Sequence, residues 1–452
     1  AISSVDLTNV TTIGARAFYG TLLTEVSSDS VISVGDEAFT SDSAAAGESV
    51  SSRLASVSFP NAESIGARAF ANCASLTSVQ LPAVKTIGAE AFSGCASLAT
   101  LNVDAAETVG SSAFAGTQAL TGISLPNVQS IGALAFSGSS VTALELPASL
   151  SSVAEQAFAG ATKLASVSVA AENPLYLSDN GVLYRRTGSY NYVTLVAYPE
   201  GKQDASFTAR DRTIRIGAYA FANNPYVESV TLPVHVRVIG AAAFYGCTAL
   251  EQIELQSATA PTLESYAYTL ADGTSENVYN NFKTALDAQN RPELTIVVPS
   301  NHTGYDLYIW EQYFGAVGEG SITVSDTARP ISSVLDFMDR VLALPAPADI
   351  TEADREELTV LQRIYNTLDS TQRNFVLNGY GDDHTNYYDI LTAAINALPS
   401  QTVDPEPGPG PEDPSGPNVG LIVGLSVAGG VIVLAGVGAA VFFIVRKKRR
   451  GE

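Results

Sequence analysis

A phenylalanine that returns every 22 residues constrains this chain more than any other feature. It stands at Phe70, Phe92, Phe114, Phe136 and Phe158, and at looser spacing at Phe18, Phe39, Phe221 and Phe244. An Ile-Gly or Val-Gly pair precedes nearly every copy, as in Ile65-Gly66, Ile87-Gly88 and Val109-Gly110, whereas Val153-Ala154 lacks the glycine. Between copies runs a second pattern, LxxVxL, as in Leu76, Val79 and Leu81, or Leu120, Ile123 and Leu125. Alternation over so few residues predicts a short strand with one buried face, which a following proline such as Pro60, Pro82 or Pro126 ends. The Ile-Gly pair is expected to turn the chain, and the segment up to the Phe to return it through a tight turn or short helix. A unit this small cannot bury its own apolar face. A fixed period of this length therefore means stacked coils of a solenoid, with the Phe column inside.

Charge then narrows the partners. The chain carries 24 Lys and Arg against 46 Asp and Glu, and five of those bases crowd into Arg446–Arg450. So acidic a body argues against nucleic acid or an anionic membrane surface as its partner. Cys73, Cys95 and Cys247 all fall three residues after a repeat Phe. An odd number at one phase reads as small core residues, with a Cys73–Cys95 disulfide as the minor alternative. The chain begins at Ala1 inside a repeat, which reads as a processed product or a fragment.

Catalytic chemistry is sought without result. His235, His302 and His384 are the three histidines and sit in different elements, His235 reading as a satisfied structural residue just after a repeat strand. Asp382-Asp383-His384 with Asp389 reads as a solvated turn sooner than as a metal site. Dinucleotide fingerprint, P-loop, calcium loop and nucleophile motif are all missing, so the expectation is a protein with no enzyme activity, cofactor or metal.

The repeat, written LxSVxLPxxxxSIGxxAFxGCxxL, resembles the BspA-like, Treponema-type leucine-rich repeats of bacterial and trichomonad surface proteins. The resemblance covers about residues 1–318. It implies an α/β repeat, a solenoid with short parallel strands, over residues 1–262. Gly181-Val182-Leu183-Tyr184 with Val196 to Lys202 resembles the hairpin insertion of such arrays, placed at about 171–210. Leu294 to Pro299, then Tyr305 and Trp310, resembles their C-terminal cap and places a degenerate last coil and cap at 263–318. Tyr308, Tyr313 and Phe314 are assigned to the same closure. A Ser/Ala-rich insert at 40–52 departs from the pattern.

A linker is expected at 319–330. From 331 to 399 apolar residues recur at helical spacing in three sets, beginning at Val334, Leu358 and Tyr387. Pro345 and Pro347 separate the first two helices, and Thr351 with Asp354 marks a helix start. This all-α module resembles the spacers of Gram-positive surface proteins, which points to a bacterial source. Residues 400–418, rich in Pro and acids, read as a stiff linker. Val419 to Val445 follow, 27 residues without a charge and, at 1.5 Å per residue, about 40 Å as a helix. The basic tail 446–452 then predicts a single-pass helix with the C-terminus cytoplasmic and everything upstream outside. Leu398-Pro399-Ser400-Gln401-Thr402 lacks the glycine and the position of a sortase signal, so the helix reads as a retained anchor.

Binding is the remaining class. Outward strand positions such as Ser56, Ser78 and Thr100 are small and polar, suiting a solvated face as well as a groove. The richer patch is the insertion, with Tyr176, Tyr184, Arg185, Arg186, Tyr190, Tyr192 and Tyr198. Tyrosine and arginine so concentrated compose an interface hot spot, or else a hairpin whose tyrosines pack on the last coil. Resemblance to the family implies adhesion through an extracellular protein or glycan ligand. The rival is a structural component of the cell envelope without a dedicated ligand. A sensor is the remote third, because the short tail has no room for a signalling domain.

Overall fold

Three columns of hydrogen bonds tie coil to coil, the first of them interrupted at residues 120–125. A computed structural model describes residues 2–41, 53–188, 190–269, 275–278, 281–282, 294–305, 310, 322–327, 329–379 and 384–399. Within it the LxxVxL segments form the first column: Glu25–Ser27, Ser56–Ser58, Ser78–Gln80 and Thr100–Asn102 pair in parallel, with Val57 opposite Val79 and Val79 opposite Leu101. The two-residue strands before the glycines form the second, seven of them running from Thr12–Ile13 to Ser152–Val153. The third lies in the return segments, which are turns and not helices. There Phe70 N donates to Ala91 O, Phe92 N to Ala113 O and Phe114 N to Ala135 O, each at 2.8 Å. The result is a parallel-strand solenoid of about 11 turns.

The glycine of each Ile-Gly pair does a different task from the one expected. The left-handed residue that bends the chain comes two positions later and is not glycine: Arg68 (φ 56°), Glu90 (55°), Ser112 (54°) and Leu134 (57°). The glycine itself stands where coils touch backbone to backbone. A Cβ on Gly88 would lie 2.5 Å from the Gly66 carbonyl carbon and 2.6 Å from Ala67 N. The missing side chain thus sets the distance between coils.

Inside, the phenylalanines stack as predicted. Ring centroids are 5.2 Å apart for Phe39–Phe70, 5.3 Å for Phe70–Phe92, 5.8 Å for Phe92–Phe114 and 5.6 Å for Phe114–Phe136. A second stack runs Tyr198, Phe221, Phe244, Phe282 and Trp310. The apolar core divides between the two, one cluster running from Leu7 to Val167 and taking in Tyr176, Leu183 and Ala197 of the following segment, and another from Val182 to Ile322. The three cysteines are buried in the core. Each thiol donates to the carbonyl of a Phe in the preceding coil, Cys95 to Phe70 at 3.1 Å and Cys247 to Phe221 at 3.0 Å.

Two expectations about strands are corrected. Leu120, Ile123 and Leu125 keep the apolar pattern but form no strand. Gly122 occupies an outward position there and has neither the side chain nor the propensity that holds an extended segment. Residues 319–330 are not simply linker, because Ile322–Val324 pairs in parallel with Thr295–Val298 and buries Ile322. Towards the end of the solenoid Tyr305 and Trp310 are buried, with Tyr305 Oη donating to Ser257 O at 2.9 Å and Trp310 Nε1 to Pro261 O at 3.2 Å.

Among its described residues the helical region has four α-helices, Ser332–Leu342, Arg355–Thr367, Ser370–Asn378 and Tyr387–Asn396. Three coincide with the apolar sets. The additional one, Ser370–Asn378, starts where Asp369 accepts a hydrogen bond from Gln372 N. The Thr351–Asp354 start is a reciprocal capping box. The module is also not held apart from the solenoid, since Val234 of the solenoid lies within its apolar core. Among the described residues no helix is long and apolar enough to cross a membrane. The Pro-rich segment 400–418, the apolar stretch 419–445 and the tail 446–452 lie outside the described residues. So do 42–52, Tyr308, Tyr313, Phe314, Asp382 and Asp383.

Candidate functional site

The insertion starts from local turn chemistry. Asn180 and Gly181 are both left-handed (φ 51° and 77°) and join Asp179 to its partner Val182. A two-residue Asn-Gly loop is the favoured connection of a tight hairpin, because its twist matches that of the strands. Tyr176–Asp179 therefore runs antiparallel to Val182–Arg186, and that strand antiparallel to Val193–Ala197. The last of the three then rejoins the solenoid in parallel with Thr213–Ile216.

This meander breaks the second column of strands. The seven-strand ladder stops at Ser152–Val153, and with no next strand beside it Val153 N donates instead to Tyr176 Oη at 3.0 Å. Tyr176 is thus a plug for a severed sheet. Tyr184 is likewise buried, its hydroxyl accepting from Arg210 N at 3.1 Å, and burial pushes its pKa up to about 12. Tyr198 fills the place of a repeat Phe: its amide donates to Ala220 O at 2.7 Å and its ring stacks on Phe221 at 4.9 Å. The sequence carried that signal, since Ala197-Tyr198 precedes Ala220-Phe221 by 23 residues, the step that also separates Phe221 from Phe244. Tyr192 is buried too, against the helical module. Four of the seven candidate residues are therefore core, and only Arg185, Arg186 and Tyr190 are exposed. Of the two readings of this patch, the burial of the four tyrosines matches rings packed within the fold, and Arg185, Arg186 and Tyr190 form its exposed edge.

That edge borders a cavity of about 400 Å³ between Val153 and the returning strand, lined by Glu155, Arg185, Arg186, Thr187, Thr194 and Arg215 among others. Arg215 is committed, forming a bidentate pair with Glu264 and lying 3.8 Å from Glu155. Thr187 and Thr194 place their hydroxyls 3.1 Å apart. Residues on either side of the break, some 60 apart in sequence, meet only through the insertion, and no local motif announces Arg215, Thr187 or Thr194 as neighbours.

A second polar cluster joins the solenoid to the helical module. Asp339, buried on the helix Ser332–Leu342, accepts from the Tyr192 hydroxyl and from the Arg212 guanidinium. His235 is buried between two carboxylates, with Nε2 3.6 Å from Asp339 and Nδ1 3.4 Å from Asp211, ion-pair distances longer than hydrogen bonds. Burial pulls the imidazole pKa down, but Asp211 and Asp339 outweigh it and the net shift is upward from 6.5. Burial pushes Asp339 up, yet His235, Tyr192 and Arg212 together hold it below 3.8. At the rim Arg237 pairs with Asp336 and lies over the Tyr192 ring. His235 is thus enclosed at the seam between a solenoid coil and the helix Ser332–Leu342.

Comparison with known proteins bears on the repeat itself. The model of the BspA type leucine rich repeat region matches six copies, over residues 1–46, 49–165 and 202–287. The chain belongs to this family. Its match halts where the insertion begins and resumes where the coils return, so the BspA-type repeat and the meander are separate pieces of design. Among solved structures, a leucine rich cell surface protein from Faecalibacterium prausnitzii A2-165 is 25% identical, with 70% of this chain and 84% of that one covered and a TM-score of 0.49. The pneumococcal vaccine antigen PcpA is 21% identical over 65% of this chain and 68% of its own, with a TM-score of 0.38. A leucine-rich repeat protein from Bacteroides ovatus is 19% identical over 70% and 88%, with a TM-score of 0.34. No curated protein matches the chain.

Proposed function

We propose that this BspA-type protein is a non-catalytic surface adhesin, whose solenoid binds an extracellular protein or glycan and whose C-terminal segment holds it in the cell membrane. The observation that carries the binding half is the broken ladder: the column of two-residue strands stops at Ser152–Val153, and the meander that follows presents an exposed edge with Arg185 and Arg186 beside a cavity. The anchor half rests on sequence, from the charge-free run 419–445 and the five bases that follow. The burial of Tyr176, Tyr184, Tyr192 and Tyr198 favours the second reading, an envelope component without a ligand, because it removes the rings that would anchor a partner.

The full chain, displayed on bacteria, is expected to adhere saturably to at least one member of an array of matrix proteins, mucins and glycans. Adhesion to none of them would favour the structural reading. Deleting 419–452 is expected to release the protein into the medium; retention on the cells would mean that another anchor exists.

A further inference from the structure

The helical module carries a core of its own and meets the solenoid over a polar seam. Its buried apolar side chains come from all four helices, and among the described residues Val234 is the one solenoid side chain in that core. The ties across the seam are polar: Asp336 with Arg237, and Asp339 with Arg212, His235 and the Tyr192 hydroxyl. Small polar interfaces between parts of one chain are the ones that open. The chain passes from one part to the other at a single residue. Asn301 of the solenoid clamps the backbone of Arg329, accepting from its N at 2.9 Å and donating to its O at 2.7 Å. Ile331 N already donates to Gln372 Oε1 of the module at 3.3 Å. Pro330 lies between these two anchors, and a hinge needs only such a short stretch to absorb a change in backbone angle.

His235 is the group in the seam that can change charge near neutral pH. It follows the strand Ser229–Leu232 and is 2% exposed. Asp211, just ahead of Thr213–Ile216, stands 3.4 Å from Nδ1, and Asp339 of the helix stands 3.6 Å from Nε2. The Tyr192 ring packs on the imidazole with centroids 5.7 Å apart, and burial holds its hydroxyl protonated. Arg212 is paired with Asp339, Arg237 with Asp336, and Arg340 of the same helix with Glu357 inside the module. These arginines keep their charge at every working pH. An imidazolium presents an N–H to each of its two carboxylates. A neutral imidazole has one N–H and turns the lone pair of its other nitrogen on a carboxylate oxygen. Protonated, the ring links solenoid to helix; neutral, it repels one of them. The seam already holds two buried nitrogens without a hydrogen-bond partner among the described residues, His235 Nδ1 and Arg237 Nε, and such orphans favour release.

We propose that the seam is a pH-operated joint: protonated His235, held between Asp211 of the solenoid and Asp339 of the helix, keeps the module docked, and loss of that proton lets the module swing out intact about Pro330. The sign follows from linkage. Docking strengthens the hold of His235 on its proton, so the joint is tight below pH 6.5 and loosens as pH climbs past the higher docked value. The test uses the full chain in detergent, with Glu228→Cys and Glu356→Cys labelled as an energy-transfer pair. Both positions are exposed, and the native cysteines are buried. Transfer is expected to be constant from about pH 5 to 6.5 and to change reversibly between about 6.5 and 9, with helix content unchanged. The docked-to-free ratio should fall by about tenfold, the effect of one pH unit of differential proton affinity. An Asp336→Asn background loosens the rim pair without touching His235 and brings partial release into range. His235→Gln, uncharged throughout, is expected to flatten the profile while melting of the Phe column stays the same; should that variant not fold, the other two profiles decide. A flat profile in both the wild type and the Asp336→Asn chain would overturn the proposal, as would a folded His235→Gln chain that titrates like the wild type. Helix content that falls together with transfer would also overturn it, since the module would then be unfolding and not undocking.

Discussion

Phe114→Ala is expected to destabilise the first half of the solenoid by about 3–5 kcal/mol, the usual cost of truncating a fully buried aromatic. Phe114 is completely buried and sits in mid-column, with rings at 5.8 and 5.6 Å on either side. Its removal leaves a void that Phe92 and Phe136 cannot both close, because their coils are pinned to that of Phe114 by backbone hydrogen bonds in the second column and the return segments. In a stacked array, stability is a sum over coils and their interfaces, so the loss should spread from the damaged coil to those beside it. Hydrogen exchange should accelerate first around residues 92–136, with the denaturation midpoint falling in parallel. An unchanged melting curve would contradict the stacked core.

Asp339→Ala is expected to have the next largest effect, but on the helical module rather than on the coils. The carboxylate serves Tyr192, Arg212 and His235 at once. Removing one partner of a buried charged set typically costs about 3–5 kcal/mol, because the others stay buried without it. Proteolysis should cut the helices between 332 and 396 sooner while the Phe column melts as before; equal protection of the module would sink the idea. The same cluster gives a pH dependence whose sign is fixed. His235 has its pKa raised from 6.5, so its contribution is complete below 6.5 and is lost as pH rises through the higher folded value. Asp211 and Asp339 are lowered from 3.8, so their contributions are complete above 3.8 and are lost as pH falls through the lower folded values. Module protection should therefore be greatest between about pH 4 and 6.5 and decline above it. Protection that rises steadily from pH 6 to 9 would contradict the placement of His235 between its carboxylates.

Legibility in the sequence tracks the range over which a signal acts. The coils, their buried Val and Phe positions and the hairpin were readable because each repeats or follows from neighbouring residues, as with Asn180-Gly181. What the glycines do was not readable in full: a glycine at a fixed phase announces a special backbone position, and only the stacked coils reveal that Gly88 is there for Gly66. The insertion tyrosines left two readings open for a related reason. Composition marks Tyr176, Tyr184 and Tyr198 as interface-like, but burial depends on which strand ends beside them. Asp339 and Arg212, 127 residues apart, had no local sign of their meeting.

The glycine contacts bear finally on how the array can change length. Gly88 meets Gly66 as Gly110 meets Gly88 and as Gly132 meets Gly110, so these coils are interchangeable at their seams. Unequal recombination that adds or drops one whole 22-residue unit there would join identical surfaces and leave every seam intact. Across the insertion the seam is unique, since Gly217 faces Leu195 O rather than another glycine. Gain or loss of a whole coil on the N-terminal side would therefore change the reach of the array while leaving the segment from the insertion to Trp310 as it is.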